Sequence, residues 1–287
     1  MKFIKFKSYI LNFVLLSCVF CINGCSSTIF SPNGLIAQQQ CYFFIIAFVT
    51  MLFIIIPVIF MTIFFLLSYR ESNVNKIYTP TWSHSNIIEV LTWGIPIFIV
   101  LFLSILSWKS THELDPKKPI LVANNVQPIR INVISLDWKW LFIYPDKKIA
   151  TINKLVIPIN TPIIFTLTSD SVMNSFFIPS LGSQIYTMPG MQTSLNLIAN
   201  RSGLFKGFSS NYSGKGFSNM KFNVLVVSNR YIFNEWVKQV QLSKYRLNSI
   251  YVFYRFINKF YEDNSVRYFS NVSTDLFNLI VKNTLIT

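Results

Sequence analysis

Histidine, cysteine and carboxylate side chains are scarce in this chain, and their spacing limits the chemistry open to it. The two histidines, His84 and His112, bracket an apolar run over 87–108. Some two dozen helical residues between them set them roughly 35–40 Å apart. They can neither share a metal nor act as an acid–base pair. His112, at the edge of that run, is the one histidine available to a downstream Ser/His/Asp triad. The four cysteines, Cys18, Cys21, Cys25 and Cys41, lie toward the N-terminus, so nothing after Cys41 can form a disulfide or a thiolate metal site. Met173, Met188, Met191 and Met220 are soft donors. Thioethers alone are a weak copper ligand set, and packing is the use they support. Hydrolase and metalloenzyme chemistry are poorly served by this inventory.

Glu89 is the ionisable residue that stands out. It lies about a turn inside the second apolar run, in Trp82-Ser83-His84-Ser85-Asn86-Ile87-Ile88-Glu89-Val90-Leu91-Thr92-Trp93. Two readings stand open. Asn86 can serve as N-cap with Glu89 at N3, a capping box whose carboxylate favours the positive end of the helix dipole. Alternatively, a carboxylate at membrane depth marks a proton pathway. One side chain can do both.

The elements that position these residues follow from the apolar pattern. The chain has 287 residues, of which 52% are hydrophobic, and its mean hydropathy is +0.45. The net charge of +14 is scattered along the chain. A nucleic-acid stripe needs clustering on one face, which argues against such a partner. Heavy use of Phe, Ile, Asn, Lys and Tyr matches an AT-rich genome, which accounts for part of the charge. Residues 1–24 read as an export signal, with Lys2, Lys5 and Lys7 before an apolar stretch too short to span a bilayer. It ends in Ile22-Asn23-Gly24-Cys25, which resembles a bacterial lipobox with Asn23 where a small residue is usual. Cleavage there makes Cys25 the lipidated mature N-terminus, followed by a periplasmic segment over 25–40.

Residues 41–69 form the first expected membrane helix, kinked at Pro57, and 87–109 the second, with Trp93 and Trp108 toward its ends. A lipidated Cys25 lies outside the cytoplasm, and two spans return the chain to that side. The 70–86 loop is then cytoplasmic. Residues 110–228 form the expected periplasmic domain, which reads as β structure from about Ile120 to Val227. Strands are expected at 129–133, 138–144, 154–157, 163–168, 194–199 and 221–227, a spacing that suggests a sandwich or Greek-key barrel. Alternation over 138–144 places Trp138, Trp140, Phe142 and Tyr144 on one face. From 229 to 287 the period becomes helical. Phe233, Trp236, Val237 and Val240 mark a helix over one side of the barrel, with further helices near 250–261 and 275–286.

The stretch Gly203-Leu204-Phe205-Lys206-Gly207-Phe208-Ser209-Ser210-Asn211-Tyr212-Ser213-Gly214-Lys215-Gly216-Phe217-Ser218-Asn219-Met220 resembles the copper-binding loop of haem–copper oxidase subunit II, roughly C-S-E-x-C-G-x-x-H-x-x-M. Ser209 and Ser213 stand at the Cys positions, Asn211 at the Glu and Phe217 at the His; Met220 is retained. Asn174, in Val172-Met173-Asn174-Ser175-Phe176-Phe177-Ile178-Pro179, stands at the earlier His. With Asp137-Trp138-Lys139-Trp140, Leu181-Gly182-Ser183-Gln184-Ile185-Tyr186 and Tyr268-Phe269-Ser270-Asn271-Val272, the pattern is similar to subunit II of the bacterial cytochrome bo-type ubiquinol oxidases, the quinol-oxidising branch of that superfamily.

The resemblance implies a membrane-anchored α+β protein: a two-helix transmembrane hairpin, then a cupredoxin-like Greek-key β-barrel with C-terminal helices. It implies a complex in the bacterial inner membrane that oxidises ubiquinol, reduces oxygen and pumps protons. The expected partners are subunit I, smaller subunits, membrane lipids and, through the complex, ubiquinol. The haems and a single copper then belong to subunit I, and this chain binds no cofactor. Glu89, Trp93 and Pro96 match the segment that the family associates with a proton channel of subunit I. The aromatic segment lacks a copper donor, which leaves Trp138 and Trp140 as core or interface residues. Two other readings remain: a copper-containing cytochrome c oxidase subunit, and a membrane-anchored periplasmic lipoprotein that serves as scaffold or binding module.

Overall fold

The computed structural model describes residues 28–70, 81–120, 126–259 and 265–284. The expected signal over 1–24, Cys25 and most of the 70–86 loop lie outside the described residues.

Two helices open the structure, α1 (Leu35–Ser68) and α2 (Asn86–Glu113). Both are long and apolar enough to cross a membrane. Pro57 lies inside α1 and Pro96 inside α2. Helix α1 begins six residues before the expected boundary because Gln38, Gln39 and Gln40 break the apolar run without breaking the helix. Its first turn is docked on the β domain. Ala37 N donates to Leu181 O at 3.1 Å, and Asn33 is paired with Ser180 and Asn200 through its backbone. Ile36 is only 7% exposed and joins the core of the β domain. Two glycines permit this approach. A Cβ on Gly34 would stand 2.8 Å from Ile198 O, and one on Gly182 would stand 2.7 Å from Ala37 N.

Eleven strands form two sheets among the described residues. One has the order β11 (Arg267–Phe269), β3 (Ile149–Ile152), β2 (Lys139–Tyr144), β1 (Ile129–Leu136), β5 (Ile163–Ser169), β8 (Thr193–Leu197). The other runs β4 (Lys154–Pro158), β10 (Lys221–Val227), β9 (Gly203–Ser209), β6 (Asn174–Phe177), β7 (Gln184–Thr187). The pairs β1–β5 and β4–β10 are parallel, and the others antiparallel. Between the sheets Trp140, Phe142, Phe165, Phe176 and Phe222 pack as one aromatic core, with Phe176 and Phe222 stacked at 5.2 Å. Tyr144 bridges the sheets. Its hydroxyl donates to Val156 O at 2.9 Å and accepts from Val156 N at 3.0 Å. Burial pushes that phenol well above its ordinary pKa.

Trp138 departs from expectation. It sits in the β1–β2 turn at φ 65°, so it does not continue the row of Trp140, Phe142 and Tyr144. The other face of the first sheet is also covered. Ile134, Leu141, Ile143 and Ile152 pack under α4 (Ile250–Lys259) and α5 (Leu276–Asn283) through Phe253, Ile257, Phe277 and Ile280. The amphipathic helix α3 (Arg230–Gln241) buries Phe233, Val237 and Val240, as the spacing predicts. Asn229 caps it by accepting from Ile232 N at 2.8 Å.

Candidate functional site

Four of the six positions singled out in the loop pattern meet at one end of the interior strands of the second sheet. Asn174 opens β6 and Ser209 closes β9; the register pairs Phe176 with Ser209. Met220 immediately precedes β10 and is 1% exposed. Ser209 Oγ donates within a shared pair of acceptors, Asn174 Oδ1 at 3.1 Å and Asn211 O at 3.2 Å. The same oxygen accepts from Ser175 N at 3.3 Å. Asn174 Nδ2 donates to Val172 O at 3.2 Å, and Ser209 N to Met220 O at 3.1 Å. Ser213 Oγ lies 3.8 Å from Met220 Sδ. Asn211 Nδ2 reaches only backbone oxygens, Met173 O and Tyr212 O, both at 3.4 Å. The Phe217 ring packs on Tyr212 at 5.6 Å.

The cluster is larger than the loop pattern indicates. Ser210 Oγ donates to Gln184 Oε1 at 2.8 Å and lies 2.9 Å from Ser175 Oγ. Thr187 Oγ1 donates to Asn174 O at 3.2 Å and lies 3.0 Å from Ser135 Oγ. None of these residues carries a sequence signal beyond being polar beside apolar strand positions. Trp138 closes the loop from the side. A Cβ on Gly216 would stand 2.2 Å from the Trp138 ring, and one on Gly214 would stand 2.9 Å from it. Glycine at both positions lets the indole lie on the loop backbone.

The donors here are hydroxyls, amides and one thioether. A soft copper pair needs thiolate and imidazole, so the set does not fit that metal. Among the described residues no group of three or more His, Cys, Asp or Glu side chains could hold a metal ion. Of the four methionines, Met220 is in the core, while Met173 and Met191 are 42% and 55% exposed.

Glu89 lies elsewhere, in the first turn of α2, with its side chain exposed. The helix starts at the expected cap residue, Asn86, so the cap itself falls one residue earlier. Ser85 is the N-cap, its side chain makes no capping hydrogen bond, and Glu89 falls at N4. The expected capping box between Asn86 and Glu89 is therefore not formed. Glu89 N donates to Ser85 O at 3.0 Å, as any helical amide would. His84 and His112 sit beyond opposite ends of the α2 apolar stretch, as their spacing requires. His112 Nδ1 donates to Trp108 O at 2.8 Å.

A third polar group was not legible in advance. Asp170 follows β5 and accepts from Tyr254 Oη of α4 at 3.2 Å. Burial pushes its carboxyl above the ordinary carboxylate range. The Tyr254 bond opposes that shift and the charge of Asp137 adds to it.

Comparison with known proteins gives this arrangement its class. The family described as "Cytochrome C oxidase subunit II, periplasmic domain" matches residues 144–227, the heart of the two-sheet domain. Joined to two membrane-length helices, that domain defines an inner-membrane oxidase second subunit with a cupredoxin-like fold. The relatives narrow it. The chain is 70% identical over 285 residues to cytochrome bo(3) ubiquinol oxidase subunit 2 of Buchnera aphidicola subsp. Baizongia pistaciae, covering 99% of both chains. It is 52% identical over 281 residues to the protein of the same name from Buchnera aphidicola subsp. Schizaphis graminum, covering 98% of this chain and 96% of that one. To the Pseudomonas putida protein of that name it is 48% identical over 260 residues, covering 91% and 81%. The chain belongs to the ubiquinol oxidase subunit 2 family and is a subunit of an oxidoreductase complex.

Proposed function

We propose that this chain is a copper-free second subunit of a proton-pumping ubiquinol oxidase, in which the old metal loop serves as structure and Glu89 serves proton uptake. The observation that carries the first part is the hydrogen-bonded contact of Asn174, at the start of β6, and Ser209, at the end of β9. A buried amide and a hydroxyl that satisfy each other leave no reason for a metal, and none of the positions offers a thiolate or imidazole. Electrons from ubiquinol then reach the haems and copper of subunit I without passing through this chain. The barrel stabilises subunit I from the periplasmic side.

The orientation has structural support. The start of α1 docks on the barrel and the end of α2 leads into it, so Ser68 at the end of α1 and Asn86 at the start of α2 lie at the end of the hairpin away from the barrel. With the barrel periplasmic, that end of the hairpin is cytoplasmic and Glu89 lies near the cytoplasmic surface. A lipid on Cys25, nine residues before Gly34, would anchor the chain on the barrel side. Intact mass of the purified chain tests this point, and an unmodified Cys25 or a retained signal contradicts it. The absence of a side-chain cap at Ser85 favours the proton role of Glu89 over helix capping.

The deciding experiment is steady-state oxygen uptake per haem in Glu89→Gln. The amide keeps the shape and removes the titratable proton. Proton uptake through Glu89 predicts slowed ubiquinol oxidation with assembly and haem content retained, and a milder effect for Glu89→Asp. Unchanged turnover per haem in Glu89→Gln would falsify the role.

A further inference from the structure

A second polar site lies at the far end of the domain from the Asn174–Ser209 contact. Ser209 sits beside the start of β10, and Arg230 follows its end. Arg130 of β1, Lys147 of the 3-10 turn Pro145–Lys147 and Arg230, the first residue of α3, line one cavity of about 250 Å³. Gln127 and Asn234 bring amide groups to its wall, and the buried Tyr144 and Phe233 form an apolar floor.

The three cations have no counter-ion in the fold. None of them takes part in an ion pair or a side-chain hydrogen bond among the described residues. One carboxylate, Asp146, lines the cavity against these three positive groups, which leaves a net charge of +2. Like charges held around a cleft repel one another, and low-dielectric walls concentrate their field on an anion. Tyr144 gives nothing to such a ligand, because its hydroxyl is engaged by Val156. The choice of cation points to phosphate. The chain has 7 Arg against 18 Lys, yet two of those Arg meet here. A guanidinium presents a planar fork that holds two phosphate oxygens at once, which an ammonium cannot do.

The cavity opens at the end of the domain where the membrane helices join it. Ile129 is paired with Ile163, and Ile163 with Leu197, so the start of β1 and the end of β8 share one end of the first sheet. The same end holds Ala199, which bridges to Gly34 ahead of α1. It also holds Asn196, whose Nδ2 donates to Lys117 O and Lys118 O just past α2. β1 and β8 are two strand spacings apart, about 10 Å. Basic pockets beside membrane helices bind phospholipid headgroups. At about 30 Å³ per water the cavity has the room of about eight waters, enough for a phosphate group and too little for an acyl chain.

We propose that the cavity between Arg130, Lys147 and Arg230 is a phosphate-binding site, whose ligand is the headgroup phosphate of a phospholipid or free phosphate. The two guanidinium groups hold the phosphate oxygens, Lys147 adds charge, and the amides of Gln127 and Asn234 donate beside them. The site goes beyond the oxidase reading and uses neither Glu89 nor the loop over 209–220.

The test uses the intact oxidase in dodecyl maltoside, washed free of lipid and phosphate. Acetylation of Lys147 by an N-hydroxysuccinimide ester is followed by peptide mass spectrometry. Lys238, also on α3 and with its side chain 71% exposed, is the internal reference. Phosphatidylglycerol in mixed micelles, inorganic phosphate, and chloride at matched ionic strength are added in separate arms. Relative to Lys238, Lys147 should react severalfold more slowly with phosphatidylglycerol or with inorganic phosphate, and chloride should have no such effect. Slowing by phosphatidylglycerol alone identifies a lipid headgroup as the ligand, and slowing by inorganic phosphate identifies the free ion. An unchanged ratio in both arms, or equal slowing by chloride, overturns the proposal. Arg130→Gln combined with Arg230→Gln should abolish the slowing at unchanged haem per chain, since both side chains are exposed. Slowing retained in that double variant also overturns it.

Discussion

Replacing Ser209 with Ala tests whether the loop over 209–220 is held by hydrogen bonds. The Ser209 hydroxyl serves two groups that have no access to solvent. Asn174 Oδ1 receives its proton, and Ser175 N donates to it; both residues are 0% exposed. The substitution leaves that acceptor and that donor without this partner. A buried polar group left unsatisfied costs about 1–3 kcal/mol. Two such groups, with some relaxation toward the half-buried Asn211, give about 2–4 kcal/mol. Asn211→Ala is the reference. It removes two solvent-exposed bonds, each 3.4 Å long, and should cost at most about 0.5 kcal/mol. Hydrogen–deuterium exchange on the intact oxidase, read in peptides of β6 and β9, reports the difference. With tenfold in rate per about 1.4 kcal/mol, Ser209→Ala should speed exchange by about thirtyfold or more. Equal protection in Ser209→Ala and Asn211→Ala would refute the reasoning and return the site to an unexplained loop.

Asp170 gives a pH-dependent prediction. Its carboxyl is raised in the folded state, so the fold binds that proton more tightly than the unfolded chain does. The stability it contributes is present below the ordinary carboxylate pKa and is lost as pH rises through the raised folded value. Asp170→Asn keeps an acceptor for Tyr254 and removes the buried charge. It should raise the thermal midpoint at neutral pH and have little effect near pH 3; a lower midpoint at neutral pH contradicts the argument. Gly182→Ala should undock the first turn of α1. The position has φ 87° and no room for a Cβ beside Ala37 N, which costs about 1–2 kcal/mol of backbone strain. The Ala37 amide should lose exchange protection, and unchanged protection counts against the docking.

The long features of this chain are written in its sequence because they depend on sums. Two apolar runs announce α1 and α2, and the period of Phe233, Val237 and Val240 announces α3. Six strands could be placed for the same reason. The strands that escaped are short or carry little alternation. Residues 203–209 begin with Gly and hold a second at Gly207, where the Phe222 ring lies within 2.1 Å of where a Cβ would stand. That glycine is a packing device and reads locally as a breaker. Trp138 misled because alternation continues through it, whereas the backbone turns left-handed there. The loop residues were found through a resemblance to a metal site. Their mutual bonding was hidden, since Asn174 and Ser209 are 35 residues apart and meet only through the β6–β9 register. Asp170 and Tyr254, 84 residues apart, meet through tertiary packing alone.

The central claim is that this second subunit carries no copper. The most direct measurement is copper per haem in the purified oxidase, taken with its near-infrared absorption. The account predicts the single copper of subunit I and no near-infrared band of a mixed-valence pair. Two further copper ions per complex, with that band present and both removed by substituting Asn174 or Met220, would contradict it.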